Sequence, residues 1–398
     1  MTGRKVWKIC LVLGIAALLL FPVAGAAPMQ MPDTPGHSYP NNGGINWSQP
    51  ENGNAIWEQR CKETRYFGKI NYTDGGAKGR FVEFKFNEST GEITDYTVKV
   101  YSRDGTIETY RVFDFIKPDF GVSEVRIMGG IFMARGADGM IILHDNPAGV
   151  IHHIVWNASE IKYLVSSQFY PTNTYRNHTF SKVAWLLSTR TNLTGSVICG
   201  NGTMNITENI VSVSLSTGQS SFRLHTLHRY GHPRVEMQFG YGKLGAEISV
   251  SKREGVVLDD IATYREDLRA EIMEMSEERL RLRVEGDGDG TVVAVMVENR
   301  IQNMERIRVK MDGAEMKKAT PEEVFGTANG EGKYAVMQDD AGNLLLYLYI
   351  PHFSTHEFEI FAASQDVNLL YIGIAFGIGL AVGVALAYVV FKRKKNSE

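Results

Sequence analysis

Apolar and polar residues alternate with a period of two through much of this chain, the pattern of strands that bury one face. Arg80–Phe86 (RFVEFKF) is the clearest run, and Asn87-Glu88-Ser89-Thr90-Gly91 after it is turn chemistry. Ile93–Tyr101 alternates again, Arg103-Asp104-Gly105 turns the chain, and Thr106–Phe115 returns, which predicts a β-meander. Short runs at Val125–Ala134, Met140–Leu143, Val150–Val155, Glu160–Val165, Ser181–Ser188, Thr194–Cys199, Ile210–Leu215, Ser221–Leu227, Val235–Phe239 and Glu247–Ser251 extend the pattern to about Val257. Many short strands punctuated by Gly and Asn favour a sandwich. No repeat of fixed period supports a solenoid.

The period changes at Leu258. Ile261, Tyr264, Leu268, Ile272 and Met275 fall on one face of a helix, with Arg265, Glu266, Arg269 and Glu274 on the other and Asp259 or Asp260 as cap. An amphipathic helix is therefore expected over 258–276. From Ser276 the period is two again, with Leu280, Leu282 and Val284 opposite Arg279, Arg281 and Arg283. Residues 277–363 read as a second, membrane-proximal β domain. Its Asp312-Gly313 is a two-residue hairpin turn, and Thr320-Pro321-Glu322-Glu323 opens a short helix through a capping box.

Two apolar stretches frame these segments. Arg4, Lys5 and Lys8, the apolar run Ile9–Val23 and Ala24-Gly25-Ala26 form a signal peptide over 1–26, with Cys10 inside it. Leu369–Phe391 is 23 uncharged residues without proline, enough to cross a hydrocarbon core of roughly 30 Å as a helix. Lys392-Arg393-Lys394-Lys395 follows, which places the short tail 392–398 in the cytoplasm and everything before the span outside. The expected topology is single-pass type I in the cell membrane. Ala375, Gly379, Gly383 and Ala387 recur every four residues, and Gly373 and Gly377 make a second close-packing pair, so a homodimer through the span is expected. Residues 27–55 are rich in Pro, Asn and Gly and read as a solvated leader. The distal β domain then covers 56–257. The fold class is mostly β: a sandwich-like ectodomain of two β segments joined by one amphipathic helix, with a transmembrane helix after it.

Composition narrows the function. A formal net charge of −3 over 398 residues lacks the basic field of a nucleic-acid binder. Eight Asn-X-Ser/Thr sequons begin at Asn46, Asn71, Asn87, Asn157, Asn177, Asn192, Asn201 and Asn205, all in the distal half. In a chain with secretion signals they predict glycans, hence surface positions. Cys61 and Cys199 are the cysteines left after signal removal, and outside the cell a disulfide between them is the default, with two buried thiols as the alternative.

Candidate chemistry is sparse. His144, Asp145, His152 and His153 lie in LHDNPAGVIHHIV, where a carboxylate beside imidazoles could do acid–base work, although an Asx turn also explains Asp145. His225, His228 and His232, and the pair His352 and His356, could ligate zinc or copper. His225 and His228 differ by an odd number and so diverge on a strand, as do the adjacent His152 and His153, which weakens chelation. Asp287 and Asp289 in GDGDG lack the further carboxylates of a calcium loop. No nucleotide, dinucleotide, zincin or serine-hydrolase fingerprint appears, so neither a cofactor nor a metal is assigned.

Gly79–Val98, Ile142–Ile154, Val309–Phe325 and Leu348–Ile360 resemble segments of archaeal secreted, membrane-anchored surface proteins without assigned function. The resemblance covers about half the ectodomain, is carried by structural motifs, and brings no active site with it. It implies a structural or interaction protein of the cell surface, with envelope proteins or glycans as partners. An extracellular ligand-binding or sensory module is the alternative, and a hydrolase built on the His144–His153 turn is the third reading.

Overall fold

A computed structural model describes residues 64, 66–101, 106–225, 234–253, 256–276, 279–298, 307–326, 330–338, 343–352 and 354–362. The stretches expected as signal peptide (1–26), leader (27–55), membrane span with its glycine pairs (Leu369–Phe391) and tail (392–398) lie outside the described residues. Among the described residues no helix is long and apolar enough to cross a membrane.

Among the described residues four large sheets, here numbered 1 to 4, carry the fold, and a two-stranded hairpin, Thr174–Tyr175 with His178–Thr179, stands apart from them. Sheet 1 has eight strands in the order Asn71–Thr73, Gly76–Lys78, Val82–Asn87, Glu92–Tyr101, Ile107–Pro118, Ser159–Val165, Ile210–Leu215, Gly202–Thr207. Sheet 2 also has eight, in the order Phe169–Thr172, Val183–Ser188, Thr194–Cys199, Gly218–His225, Ile151–Val155, Gly139–His144, Ile131–Arg135, Glu124–Met128. Their facing sides share one apolar core, with Phe84, Tyr96, Phe113 and Tyr163 from sheet 1 against Phe132, Leu143, Ile151 and Phe222 from sheet 2. Edge-to-face rings tie it together, as between Phe113 and Phe222 at 4.8 Å.

Sheet 3 runs Val256–Thr263, Leu244–Arg253, Asp289–Glu298, Leu344–His352, Lys333–Gln338, Lys317–Lys318. Sheet 4 runs Arg269–Met275, Arg279–Glu285, His356–Ala362, Ile307–Met311, Ala314–Glu315. A second aliphatic core fills the space between them, with Ile248, Val250, Val293, Val295 and Leu346 on one side and Leu280, Leu282, Val309, Phe358 and Ile360 on the other. Leu244–Arg253 and Asp289–Glu298 pair in parallel, because the chain between them leaves sheet 3 to build a hairpin of sheet 4. The opposite face of sheet 3 is covered by helices α1 (Arg234–Gly240) and α2 (Pro321–Gly326) and by Tyr66 and Phe67. Side-chain bonds from sheet 2 reach the same face, so sheets 2 and 3 are neighbouring layers.

The fold is mostly β, as the alternation predicts. The helix expected over 258–276 is not formed. Val256–Thr263 and Arg269–Met275 are strands, in sheets 3 and 4 respectively. Leu258, Asp260 and Ala262 are buried toward α1 and sheet 2 while Ile261 is buried toward sheet 4. A strand covered on both sides loses its alternation, and its apolar positions then also satisfy a helical period. The β segments are therefore not joined by that helix. The strand Leu244–Arg253 already belongs to the second assembly, earlier than the boundary expected at 257. Val235–Phe239, expected as a strand, lies in α1.

Two local expectations are met atom by atom. Asp312 and Gly313 turn with φ of 53° and 81°, the left-handed pair of a tight hairpin. Thr320 and Glu323 bond reciprocally, Thr320 N–H to Glu323 Oε2 at 2.8 Å and Glu323 N–H to Thr320 Oγ1 at 3.2 Å, closing the capping box of α2.

Candidate functional site

The strand Gly218–His225 is buried along its whole length. Phe222 and Leu224 enter the core with sheet 1, and by alternation Gln219, Ser221, Arg223 and His225 face sheet 3. A polar seam forms there. Arg223 donates from Nε and Nη2 to the two oxygens of Glu247, at 2.8 and 2.6 Å, and Tyr264 donates its hydroxyl to the same carboxylate. His225 takes Arg223 Nη1 on Nδ1 at 2.7 Å and meets Ser196 Oγ through Nε2 at 2.6 Å. Burial works to discharge Arg223, but Glu247 outweighs it and raises its pKa. Burial raises Glu247 as well, yet Arg223 and Tyr264 leave its carboxyl below the usual range. Burial and the Arg223 charge hold His225 neutral, well below its ordinary value.

The four residues of the LHDNPAGVIHHIV segment do not act as one group. His144 and His152 come together with ring centroids 5.3 Å apart, because both project from neighbouring strands toward sheet 3. His144 Nδ1 lies 2.7 Å from Asp260 Oδ1, and Asn146 donates to Asp260 Oδ2 at 2.9 Å. His152 Nδ1 meets Ser221 Oγ at 2.8 Å and Gln219 Nε2 at 2.9 Å. Gln219 also donates to the carbonyl of Thr263 at 2.8 Å, so it bridges the two sheets. His153 points the other way, toward the Tyr163 hydroxyl at 3.0 Å, and burial pushes it down to about 3.

Asp145 is the centre of a separate clamp. Its carboxylate accepts the backbone N–H of Arg80, Phe81 and Val82, at 2.7, 2.7 and 2.9 Å. A Cβ on Gly68 or Gly79 would come within 2.1 or 2.3 Å of those carboxylate oxygens, so both positions need glycine. Burial lifts Asp145 up to about 6 against the pull of the three donors. It is neither an Asx turn nor a base beside the histidines.

None of the four is open to a substrate: His144, Asp145 and His153 are 0% exposed and His152 is 2%. The cavity beside them, bounded by Asn146, Arg223, Glu247, Ser249 and Asp260, measures about 20 Å³, the space of a water molecule. The enclosed seam can fix how the two sandwiches meet, but it cannot admit a ligand. Among the described residues no group of three His, Cys, Asp or Glu is placed to hold a metal. His356 is instead bonded to Asp312 at 2.6 Å, and Asp287 sits in a turn held by Arg265. His228 and His232 lie outside the described residues.

The larger concavity lies at the edge of the seam. It is a groove of about 420 Å³, lined among others by Lys182, Asn201, Tyr241, Arg265, Glu266 and Asp267. Tyr241 is 48% exposed. Seven of the eight sequon asparagines are described, namely Asn71, Asn87, Asn157, Asn177, Asn192, Asn201 and Asn205, and every one is exposed. Asn46 and Cys61 lie outside the described residues, whereas Cys199 is buried in the first core.

The residues that join the sandwiches, Arg223, Glu247, Asp260 and Tyr264, escape sequence reasoning. For Arg223, Glu247 and Asp260 the only signal is a charge inside an apolar strand, as in SSFRLH, LGAEISV and VVLDDIAT, and Tyr264 carries no such signal.

No family model and no curated protein matches the chain. Among solved structures it is similar to an active YidC insertase with its first transmembrane domain resolved, at 11% identity and a TM-score of 0.26, over 47% of this chain and 46% of that one. It is also similar to a polysaccharide lyase, at 11% identity and a TM-score of 0.19, over 72% of this chain and 47% of that one. The chain thus spans about half the length of either structure. At those scores neither likeness bears on fold or function.

Proposed function

We propose that the chain is a membrane-anchored glycoprotein of the cell surface with a structural or interaction role. The observation that carries this reading is the exposure of all seven described sequon asparagines, six in or beside the strands of sheets 1 and 2 and Asn177 in the turn of a separate hairpin, Thr174–Tyr175 with His178–Thr179. A random set of polar positions in strands and turns would place some against a neighbouring layer, whereas a glycan needs every acceptor at the surface. The enclosure of His144, Asp145, His152 and His153 removes the basis for the hydrolase reading at that turn. The stretches 1–26 and Leu369–Phe391 supply the secretion signal and the anchor in this reading.

The test is chemical deglycosylation of the mature protein followed by mass mapping. A mass loss, with modified peptides at several of Asn71, Asn87, Asn157, Asn177, Asn192, Asn201 and Asn205, is the expected outcome. A mature protein whose mass does not change sinks the proposal. One observation favours the second reading, an extracellular ligand-binding module: the groove beside Tyr241 is open and has room for a small ligand.

A further inference from the structure

The groove at the junction of the sandwiches has an asparagine of a sequon on its own wall. Asn201 belongs to Asn201-Gly202-Thr203, in the turn between the strands Thr194–Cys199 and Gly202–Thr207. Glu266 lies across Gly218 from it. A Cβ built on Gly218 would fall 2.6 Å from Glu266 Oε1 and 3.7 Å from Asn201 Cβ, and Gly218 has a φ of 126° that a side chain would strain. The glycine therefore brings a carboxylate beside the acceptor asparagine. Glu266 accepts the backbone N–H of Gln219, which leaves carboxylate lone pairs for further donors.

Tyr241 forms another wall. Its ring is backed by Phe180 at 5.5 Å and by His178 at 6.3 Å. Gly242, beside it, has nothing within 4 Å of where a Cβ would stand. Lys182 donates to the Gly200 carbonyl at 2.8 Å, and Arg265 is paired with Asp267 at 2.5 Å. A half-exposed, rigidly backed aromatic ring next to planar, oriented carboxylate and guanidinium groups suits a pyranose. The apolar face of the sugar stacks on the ring, and its hydroxyls bond the planar groups.

We propose that this groove seats pyranose residues of the glycan carried by Asn201. The inference rests on the glycosylation reading above and adds a place for one glycan. Tethering gives that glycan an effective concentration in the millimolar range at the groove, ahead of free oligosaccharide. A glycan lying there would run from Asn201, between strands of sheets 1 and 2, to Tyr241 and Glu266, beside the strands of sheet 3, and so would join the sandwiches from outside as the polar seam does from inside.

The experiment uses the full chain from a glycosylating host, with glycopeptide mapping, exoglycosidase trimming of the folded protein and amide hydrogen exchange. The glycan on Asn201 should be trimmed about tenfold more slowly than that on Asn192, and Thr203→Ala should speed exchange around Tyr241 and Glu266 by a similar factor. Tyr241→Ala should keep the Asn201 glycan and bring its trimming rate to that of Asn192. Glu266→Gln should do so in part if the tyrosine variant does not fold.

Absence of glycan from every sequon overturns the glycosylation reading and this inference together. Glycans elsewhere but none on Asn201, or equal trimming at Asn201 and Asn192 with exchange unchanged by Thr203→Ala, overturn the inference alone. Equal binding of added N,N′-diacetylchitobiose by the wild type and by Thr203→Ala overturns the tethered source in favour of a free one.

Discussion

Phe222 and Arg223 are neighbours on one strand and face opposite layers, and the two layers are built on different physics. Between sheets 1 and 2 the contact is apolar, with Phe222 packed on Phe113 and Tyr96. Between sheets 2 and 3 it includes a salt-bridged, hydrogen-bonded seam at Arg223, Glu247, Tyr264, His144 and Asp260. Apolar packing stabilises in proportion to buried area and tolerates sliding. A buried ion pair adds little net stability, but leaves a charge stranded in any other arrangement. Each sandwich is therefore held together by area, while their mutual register is set by directional bonds.

The largest effects should come from breaking one partner on either side of Phe222–Arg223. Phe222→Ala should lower unfolding stability by about 3–5 kcal/mol through the cavity it leaves. Glu247→Ala should cost about the same, ~3–5 kcal/mol, by stranding Arg223. The two differ in how they are repaired. The double variant Arg223→Met with Glu247→Leu should recover part of that loss in denaturant titration, the remainder being about 1–3 kcal/mol for each of the Tyr264 hydroxyl and His225 Nδ1, which lose their partners. Failure of the double variant to recover would show that the seam stabilises as well as specifies.

Asp145→Ala comes next. It leaves the N–H groups of Arg80, Phe81 and Val82 without their acceptor, at about 1–3 kcal/mol for a buried group so stranded. Hydrogen exchange at those three amides should accelerate before that of Phe113 or Phe222.

Acid tests the apolar side. His153 is held neutral by burial, with a pKa of about 3 against an ordinary 6.5. Between those values the unfolded chain binds the proton that the folded one refuses, so stability falls as pH drops through that window. His153→Phe should flatten that part of the curve of urea midpoint against pH. Asp145 has the opposite sign: at about 6 folded it keeps a proton that the unfolded carboxyl has lost, and stability declines as pH rises from the ordinary 3.8 through 6.

The smallest effect is expected on the outer face of sheet 4. Arg281 bridges Glu274 and Glu357 there, and Arg283 bridges Glu271 and Glu357, all partly solvated. Arg281→Ala should shift the melting temperature less than any change above, and the shift should vanish in about 1 M salt.

Strands with one wet face were legible in the sequence. Val82, Phe84 and Phe86 alternate with Glu83 and Lys85, and the structure buries the first set. The turns at Asn87 and Asp312 and the capping box at Thr320 were legible because each is settled within four residues. Val256–Thr263 was not, since layers on both sides erase the period that distinguishes strand from helix. The seam was not legible for another reason. His144 and Asp260 are 116 positions apart, and nothing local says that their strands lie in adjacent layers. Asp145 misled because a carboxylate beside histidines reads as chemistry until the partners, backbone N–H groups some 65 positions away, are known.

The strand His356–Ala362 is paired on both sides, with Arg279–Glu285 and with Ile307–Met311. Tension arriving through the residues that follow Ala362 would pull along that strand, parallel to both ladders. It would have to slide two sets of antiparallel bonds at once, because no edge is available to peel. Pulled from that side, as it would be by the proposed anchor, the second sandwich would act as a shear clamp.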